Sequence, residues 1–276
     1  MAPRKPAPSF DNSELLDLSF LNRVSVFETL RVYRGHFFHL PGHWQRLAWS
    51  CAALGEILPY SLADMSSWVS GVLGESGFKD AIVRVAIHWD LPGRGVMTAT
   101  VREFSCHPPE WYQKGVELKT AVMRRPDLRA DNPQIKCSQY VGGVLASLDE
   151  SGKRPHEMVF LGNGGAVAEG SVSNLFIITS KRVLTPSVGS GILSGVTRAF
   201  VLDLCRERAL EVAETFLTRH EIYNADECFM TNTSSEILPV VKLDERTIGT
   251  GKPGSITKIL AQDFKTNLEA MIHDKN

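Results

Sequence analysis

The chain is poor in the features that announce a secreted, metal-bound or membrane protein. Its five cysteines (Cys51, Cys106, Cys137, Cys205, Cys228) are scattered over 276 residues and never form a C-x-x-C pair. That excludes a disulfide framework or a zinc knuckle and points to a reduced, cytoplasmic protein. Neither sign of charge is in excess: 30 basic residues face 31 acidic ones. Nothing therefore marks a nucleic-acid or anionic-membrane partner, and a small molecule is expected instead. Long apolar runs are also missing. The opening "MAPRKPAPSFDNSELLDL" has no apolar signal-peptide core, and no later stretch approaches membrane-spanning length. Internal repeats and low-complexity segments are absent too.

What is present is 43% apolar residues, enough for a substantial core in one large domain or two modest ones. The first half reads as α+β. "VSVFETLRVY" alternates like a strand and turns at Arg34 and Gly35 into "HFFHL"; "PGHWQRLAWSCAALG" has helical spacing between a proline and a glycine. Ser61 is placed to cap a second helix, and "AIVRVAIHW" and "VMTATVREF" follow as strands. "VMRRPDLRADNPQ" has proline and charge without periodicity, as a linker does. The expected organisation is thus a small α+β domain over residues 1–122, a linker over 123–133 and a larger domain over 134–276. In the larger part a helix is expected from Lys136 to Leu148. A hairpin "EMVFLGNGGAVAEG", a strand "NLFIIT", an amphipathic helix after "SGVTR", further strands and a closing helix "SITKILAQDFKTNLEAMI" come next.

Several motifs raise chemistry only to lose it. His36, His39 and His43 could suggest a metal, but a strand, a turn and a proline separate them, so surface and packing roles are favoured and no metal is expected. "LGNGGAVAEG" lacks the strand-to-helix context of a dinucleotide loop, and "GTGKPGS" puts proline where a P-loop needs Ser or Thr. No G-x-S-x-G elbow occurs. Two turns stay open. "SGVTR" could offer the N–H groups of Val196 and Thr197 to an anion, or it could be an ordinary helix start with Ser194 near the cap. "TNTSSE" could place Thr233 and Ser234 on a phosphate, or it could be only a turn.

Lys136 stands apart. It is the only charged residue between Asp131 and Asp149, in "QIKCSQYVGGVLASL". An apolar site without carboxylates would free its amine as a nucleophile, and on a helix Tyr140 would lie on the same face. The alternative is a lysine whose stem covers apolar surface while its amine reaches solvent.

Five motifs taken in order, "VFETLRVYRGHFFHLPGHWQRL", "IKCSQYVGGVLA", "AVAEGSVSNLFIIT", "LTPSVGSGILSGVTR" and "ECFMTNTSSEILPV", resemble the class IV aminotransferases. These are fold-type IV pyridoxal 5′-phosphate enzymes, among them branched-chain and D-amino acid transaminases and aminodeoxychorismate lyases. The resemblance implies a two-domain mixed α/β fold, with a small α+β N-terminal domain and a larger domain built on a pseudo-barrel sheet. It also implies an amino acid and a 2-oxo acid as substrates, and a homodimer, because the family's site borrows a loop from the neighbouring subunit. Lys136 resembles the Schiff-base lysine, Glu169 the carboxylate facing the pyridine nitrogen, and Arg46 the phosphate-binding arginine. Val196, Thr197 and Thr233 resemble the rest of the phosphate cup, and Tyr140 the phenol beside the ring oxygen. Phe27 and Thr29 are expected toward substrate with Ser234, and Arg94 is a candidate carboxylate clamp; Arg84 and Arg31 are further candidates. Tyr140 follows the lysine at four positions, where branched-chain enzymes have five, which counts against a standard branched-chain enzyme. The resemblance implies transamination, with the aminodeoxychorismate lyase reaction as alternative.

Overall fold

The computed structural model describes residues 25–90, 94–126, 132–138, 155–162 and 164–273. They cluster into two compact units. One takes the described residues of Met1–Ser105 and Ile135–Gln139, the other those of Cys106–Gln134 and Tyr140–Asn276.

The first unit is built on β1 (Ser25–Tyr33), β2 (His36–Phe37), α1 (Leu40–Ala53), α2 (Leu62–Ser76), β3 (Ala81–Asp90) and β4 (Arg94–Glu103). Its sheet runs β2-β1-β3-β4, antiparallel throughout. Alternation along a strand sends successive side chains to opposite faces. Val26, Leu30 and Val32 of β1 join Leu47, Cys51, Met65, Val69, Val83, Val85 and Ile87 in one core under the two helices. Phe27 and Thr29 point the other way and stay half-buried. Ser61 caps α2 as expected: its hydroxyl accepts from Asp64 N at 3.1 Å, and the Asp64 carboxylate accepts from Ser61 N at 3.0 Å.

The second unit carries α3 (Pro109–Lys114), β5 (Val116–Arg124), β6 (Glu157–Leu161), β7 (Val167–Gly170), β8 (Asn174–Thr179), β9 (Arg182–Pro186), α4 (Val196–Glu207), β10 (Val212–Thr215), α5 (Arg219–Tyr223), β11 (Glu227–Asn232), β12 (Glu236–Leu243), β13 (Arg246–Thr247) and α6 (Ser255–His273). The sheet order is β10-β9-β8-β11-β12-β5-β6-β7, with β13 on β12. Parallel pairs (β10/β9, β12/β5, β5/β6) mix with antiparallel ones, and the sheet curls until β7 lies beside β8. Its interior is apolar, with Phe176 of β8 stacked on Phe229 of β11 at 4.8 Å between ring centroids. Val122 to Arg124, at the start of the charged "VMRRPDLRADNPQ" stretch, belong to strand β5.

The expected helix from Lys136 does not begin there. Phe27 N donates to Lys136 O at 2.9 Å, Ser138 N donates to Ser25 O at 2.9 Å, and Cys137 bridges antiparallel to Val26. Backbone pairing with the free edge of β1 holds 136–138 extended, so a helical pairing of Lys136 with Tyr140 does not follow. Residues 139–148 of that segment lie outside the described residues.

Candidate active site

In the first unit the reactive candidates gather on both sides of β1. Lys136 is fixed by its backbone: its carbonyl accepts from Phe27, and its N–H donates to Ser50 Oγ of α1 at 3.2 Å. Its Nζ lies 4.6 Å from the centre of the Phe27 ring. The guanidinium of Arg84 lies 3.5 Å from the same ring, and its NH2 donates to Ser138 Oγ at 3.1 Å. Thr29 is register partner of Arg84, so Phe27, Thr29, Arg84 and Lys136 form one neighbourhood. Arg31 is occupied elsewhere. It is buried against the rings of Phe104 and Tyr33 and donates to Asp80 at 3.1 Å. Arg94 begins β4, and its side chain lies outside the described residues.

Behind β1, Glu28 is fully buried on the strand's apolar face. Its Oε1 accepts from Arg46 Nε at 2.7 Å, and its Oε2 accepts from Arg46 NH2 and from His43 Nδ1, each at 2.7 Å. Burial alone would raise the Glu28 pKa, but Arg46 and His43 hold it down to about 2. Burial pushes His43 below the ordinary imidazole range, so it is neutral and its one proton is on Nδ1, toward Glu28. Sequence reasoning treated His43 as a surface or packing residue and did not single out Glu28. The clue was the spacing: Leu40–Ala53 being helical, His43 and Arg46 lie three residues apart and share a face.

In the second unit Glu169 lies next to the end of β7, 4% exposed. Its Oε1 accepts from the Arg125 guanidinium, and its Oε2 accepts from Asn174 Nδ2 at 3.1 Å and Leu193 N at 2.8 Å. Asn174 Nδ2 also donates to Leu193 O at 3.0 Å, which ties Glu169 to the glycine turn ahead of α4. Arg125 was not anticipated; it lies directly before a proline in a stretch without periodicity, and only the fold brings it to Glu169.

The residue capping α4 is Gly195, not Ser194, and no side chain caps that helix. Ser194 Oγ instead donates to Gln134 Oε1 at 2.7 Å. A Cβ on Gly195 would overlap Asn174 Oδ1, so any other residue there would displace the Asn174 side chain that holds Glu169. The N-termini of α2 and α5 are closed by capping boxes, and Glu227 accepts from Ile256 N and Thr257 N at α6; α4, like α1 and α3, has no such side chain. The N–H groups of Val196 and Thr197 are thus in the position where helices receive anions. Asn174 also pairs in register with Thr231 of β11, which places the Thr233–Ser234 turn at the end of the neighbouring strand. In that turn Asn232 Oδ1 accepts from Ser234 N, Ser234 Oγ and Ser235 N at 2.7–3.1 Å. Thr231 Oγ1 is buried, with no hydrogen-bond partner among the described residues. Tyr140 lies outside the described residues. Among them, no three His, Cys, Asp or Glu side chains gather as a metal site, and no helix is long and apolar enough to cross a membrane.

The family model described as amino-transferase class IV matches residues 25–243. A D-alanine aminotransferase of Bacillus licheniformis is 32% identical over 241 residues, covering 84% of this chain and 83% of the relative. An aminodeoxychorismate lyase of Bacillus subtilis is 30% identical over 267 residues, with 94% and 90% covered. Among solved structures, a T.th. branched-chain amino acid aminotransferase with pyridoxamine 5′-phosphate superposes with a TM-score of 0.82 at 27% identity, covering 87% of this chain and 84% of that one.

Proposed function

The chain belongs to the class IV aminotransferases, pyridoxal-phosphate enzymes that move an amino group from an amino acid to a 2-oxo acid, and from that premise we propose the following roles for its residues. The side chains present fit such a cofactor: an uncapped helix start entered through a glycine suits a phosphate, and a buried carboxylate held by three donors suits a protonated ring nitrogen. When bound, the cofactor supplies an aldehyde that takes up the amino group and a ring that withdraws the electrons left on the α-carbon.

The observation that carries the assignment is the fixing of Lys136, whose backbone is held from both sides by Phe27 and Ser50 and whose amine stands at the Phe27 ring. With the cofactor bound, its ε-amine would hold the aldehyde, and once freed it would be the base that moves the substrate's α-proton. Glu169, paired with Arg125, would face the ring nitrogen and keep it protonated. Arg46, the N–H groups of Val196 and Thr197, and Thr233 hold the phosphate, and Tyr140 hydrogen-bonds the ring oxygen. Phe27 and Thr29 bound the substrate's side chain, and Ser234 and Arg94 take its α-carboxylate.

Arg84 adds a finer reading. Its guanidinium and the lysine amine both lie against the Phe27 ring. A side chain ending in a carboxylate suits that guanidinium, so one of the two substrates is a dicarboxylic amino acid or its oxo acid. The chain also fits a homodimer working in the cytoplasm, a reading supported by five free thiols and by the family resemblance.

The test is a half-reaction. Holoenzyme is mixed with single L- or D-amino acids without a 2-oxo acid, and the visible spectrum is followed. A transaminase stops at the amine form of the cofactor. Return of the original spectrum with release of pyruvate from aminodeoxychorismate would establish the lyase alternative instead. Full activity in Lys136→Ala would overturn the assignment.

A further inference from the structure

Two buried neighbours of Arg46, Glu28 and His43, orient its guanidinium. Glu28 takes Nε and NH2 of Arg46 with one oxygen each, both at 2.7 Å, and this two-point contact fixes the guanidinium plane. His43, itself fully buried, donates Nδ1–H to Glu28 Oε2 at 2.7 Å and stops the carboxylate from turning about its own axis. A buried ion pair gives little net stability over apolar residues of the same volume, so fold support is a weak reason for this one. Nor does it serve as a reservoir of positive charge: Glu28 offsets Arg46, and His43 is neutral.

What the set does supply is geometry. Glu28 follows Phe27, whose N–H holds the Lys136 carbonyl at 2.9 Å. One strand therefore grips the lysine through the backbone of one residue and the arginine through the side chain of the next. In pyridoxal phosphate the aldehyde and the phosphate arm sit on neighbouring ring carbons, so the distance between the groups that hold them has to be fixed closely.

We propose that Glu28 is a positioning residue, with His43 as its support: β1 sets the spacing between Lys136 and Arg46, and Glu28 aims the Arg46 guanidinium at the cofactor's phosphate. This rests on the phosphate role assigned to Arg46. A lysine at position 46 would keep the charge and lose the two-point contact, which separates orientation from simple attraction.

The experiment titrates apoenzyme with pyridoxal 5′-phosphate and, separately, with pyridoxal, which has the same ring and aldehyde without the phosphate. Binding is read by absorbance of the lysine-bound form, and circular dichroism confirms that each variant is folded. Glu28→Asp keeps the ion pair while withdrawing the carboxylate by one methylene, about 1.5 Å. It and Arg46→Lys are each expected to raise Kd for pyridoxal phosphate about tenfold or more, with Kd for pyridoxal within about twofold of wild type. His43→Gln is expected to shift in the same direction by less. Equal loss for both ligands would make Glu28 a support of the fold alone and overturn the proposal, as would unchanged phosphate affinity in Glu28→Asp or Arg46→Lys. Arg46→Met separates the underlying reading: if it keeps the wild-type preference for the phosphorylated ligand, Arg46 does not bind phosphate at all.

Discussion

Glu28 and Glu157 are both carboxylates buried on strands, one in each unit, and their surroundings drive them in opposite directions. Glu28, with no exposed surface, sits between a guanidinium and an imidazole N–H and is held down to about 2 despite its burial. Glu157 of β6 is 8% exposed and accepts only from neutral groups, Val172 N at 2.6 Å and Ser173 Oγ at 2.9 Å; no cation pairs with it among the described residues. There burial wins, and its pKa is raised. Neutral donors steady a buried carboxylate without supplying the opposite charge that offsets lost hydration. The first arrangement commits a charge to holding a partner side chain. The second uses a carboxyl to close the turn between β7 and β8, and so to set the spacing of Glu169 and Asn174 on either side of it.

The comparison can be broken from either end. The largest effect is expected for Glu28→Ala, which strands a buried guanidinium and should cost about 3–5 kcal/mol in urea denaturation at pH 7. Gly170→Ala strikes the other carboxylate: a Cβ there overlaps Ser173 Oγ and Glu157 Oε1, and a loss of about 1–3 kcal/mol is expected in the same measurement. Helix caps serve as a reference outside both networks. Ser61→Ala in the first unit and Thr218→Ala in the second each remove a capping box, with an expected loss of about 1 kcal/mol. The smallest change at neutral pH is expected for Glu157→Gln, within about 1 kcal/mol of wild type, because an amide oxygen still accepts from the turn.

The pH dependence of stability sharpens the contrast. Glu28 has its folded pKa depressed from 4.5 to about 2, so its contribution is complete above pH 4.5 and lost as pH falls toward 2. Glu157 has a raised folded pKa, so its contribution is complete below the ordinary carboxylate range and lost as pH rises through that raised value. Melting temperatures followed across acid pH should show Glu28→Gln removing the first dependence and Glu157→Gln removing the second. If the two variants flatten the same limb of the profile, the opposition drawn between the sites is wrong.

Much of the fold was legible because its signals are local. Ser61 with Asp64 three residues on marks a helix start, the alternation in "VSVFETLRVY" marks a half-buried strand, and Gly195 before a periodic run marks the start of α4. The expected helix at Lys136 failed for the opposite reason. "KCSQYVGGVLASL" has helical spacing, yet Lys136 to Ser138 are taken up by the edge of a strand more than 100 residues earlier, through bonds no local pattern announces. Arg125 was missed in the same way, since nothing in "RRPDLRADNP" singles out the arginine that meets Glu169.

By itself the sequence determined the order of the elements, the binary pattern of their faces and the five motifs that mark the family, because these are written in neighbouring residues and in periods of two and three to four. It also placed the chemistry-bearing types: a lysine without nearby acids, a carboxylate before a tight turn, a glycine at a helix start. Tertiary structure alone decided which of these residues meet. Glu28 with Arg46, Arg125 with Glu169 and Phe27 with Lys136 are pairs 18, 44 and 109 residues apart (Lys136 less Phe27 gives the last). Electrostatic and hydrogen-bond energies depend on distances in space, and only the closing of the two sheets and their cores brings those distances down to bonding range.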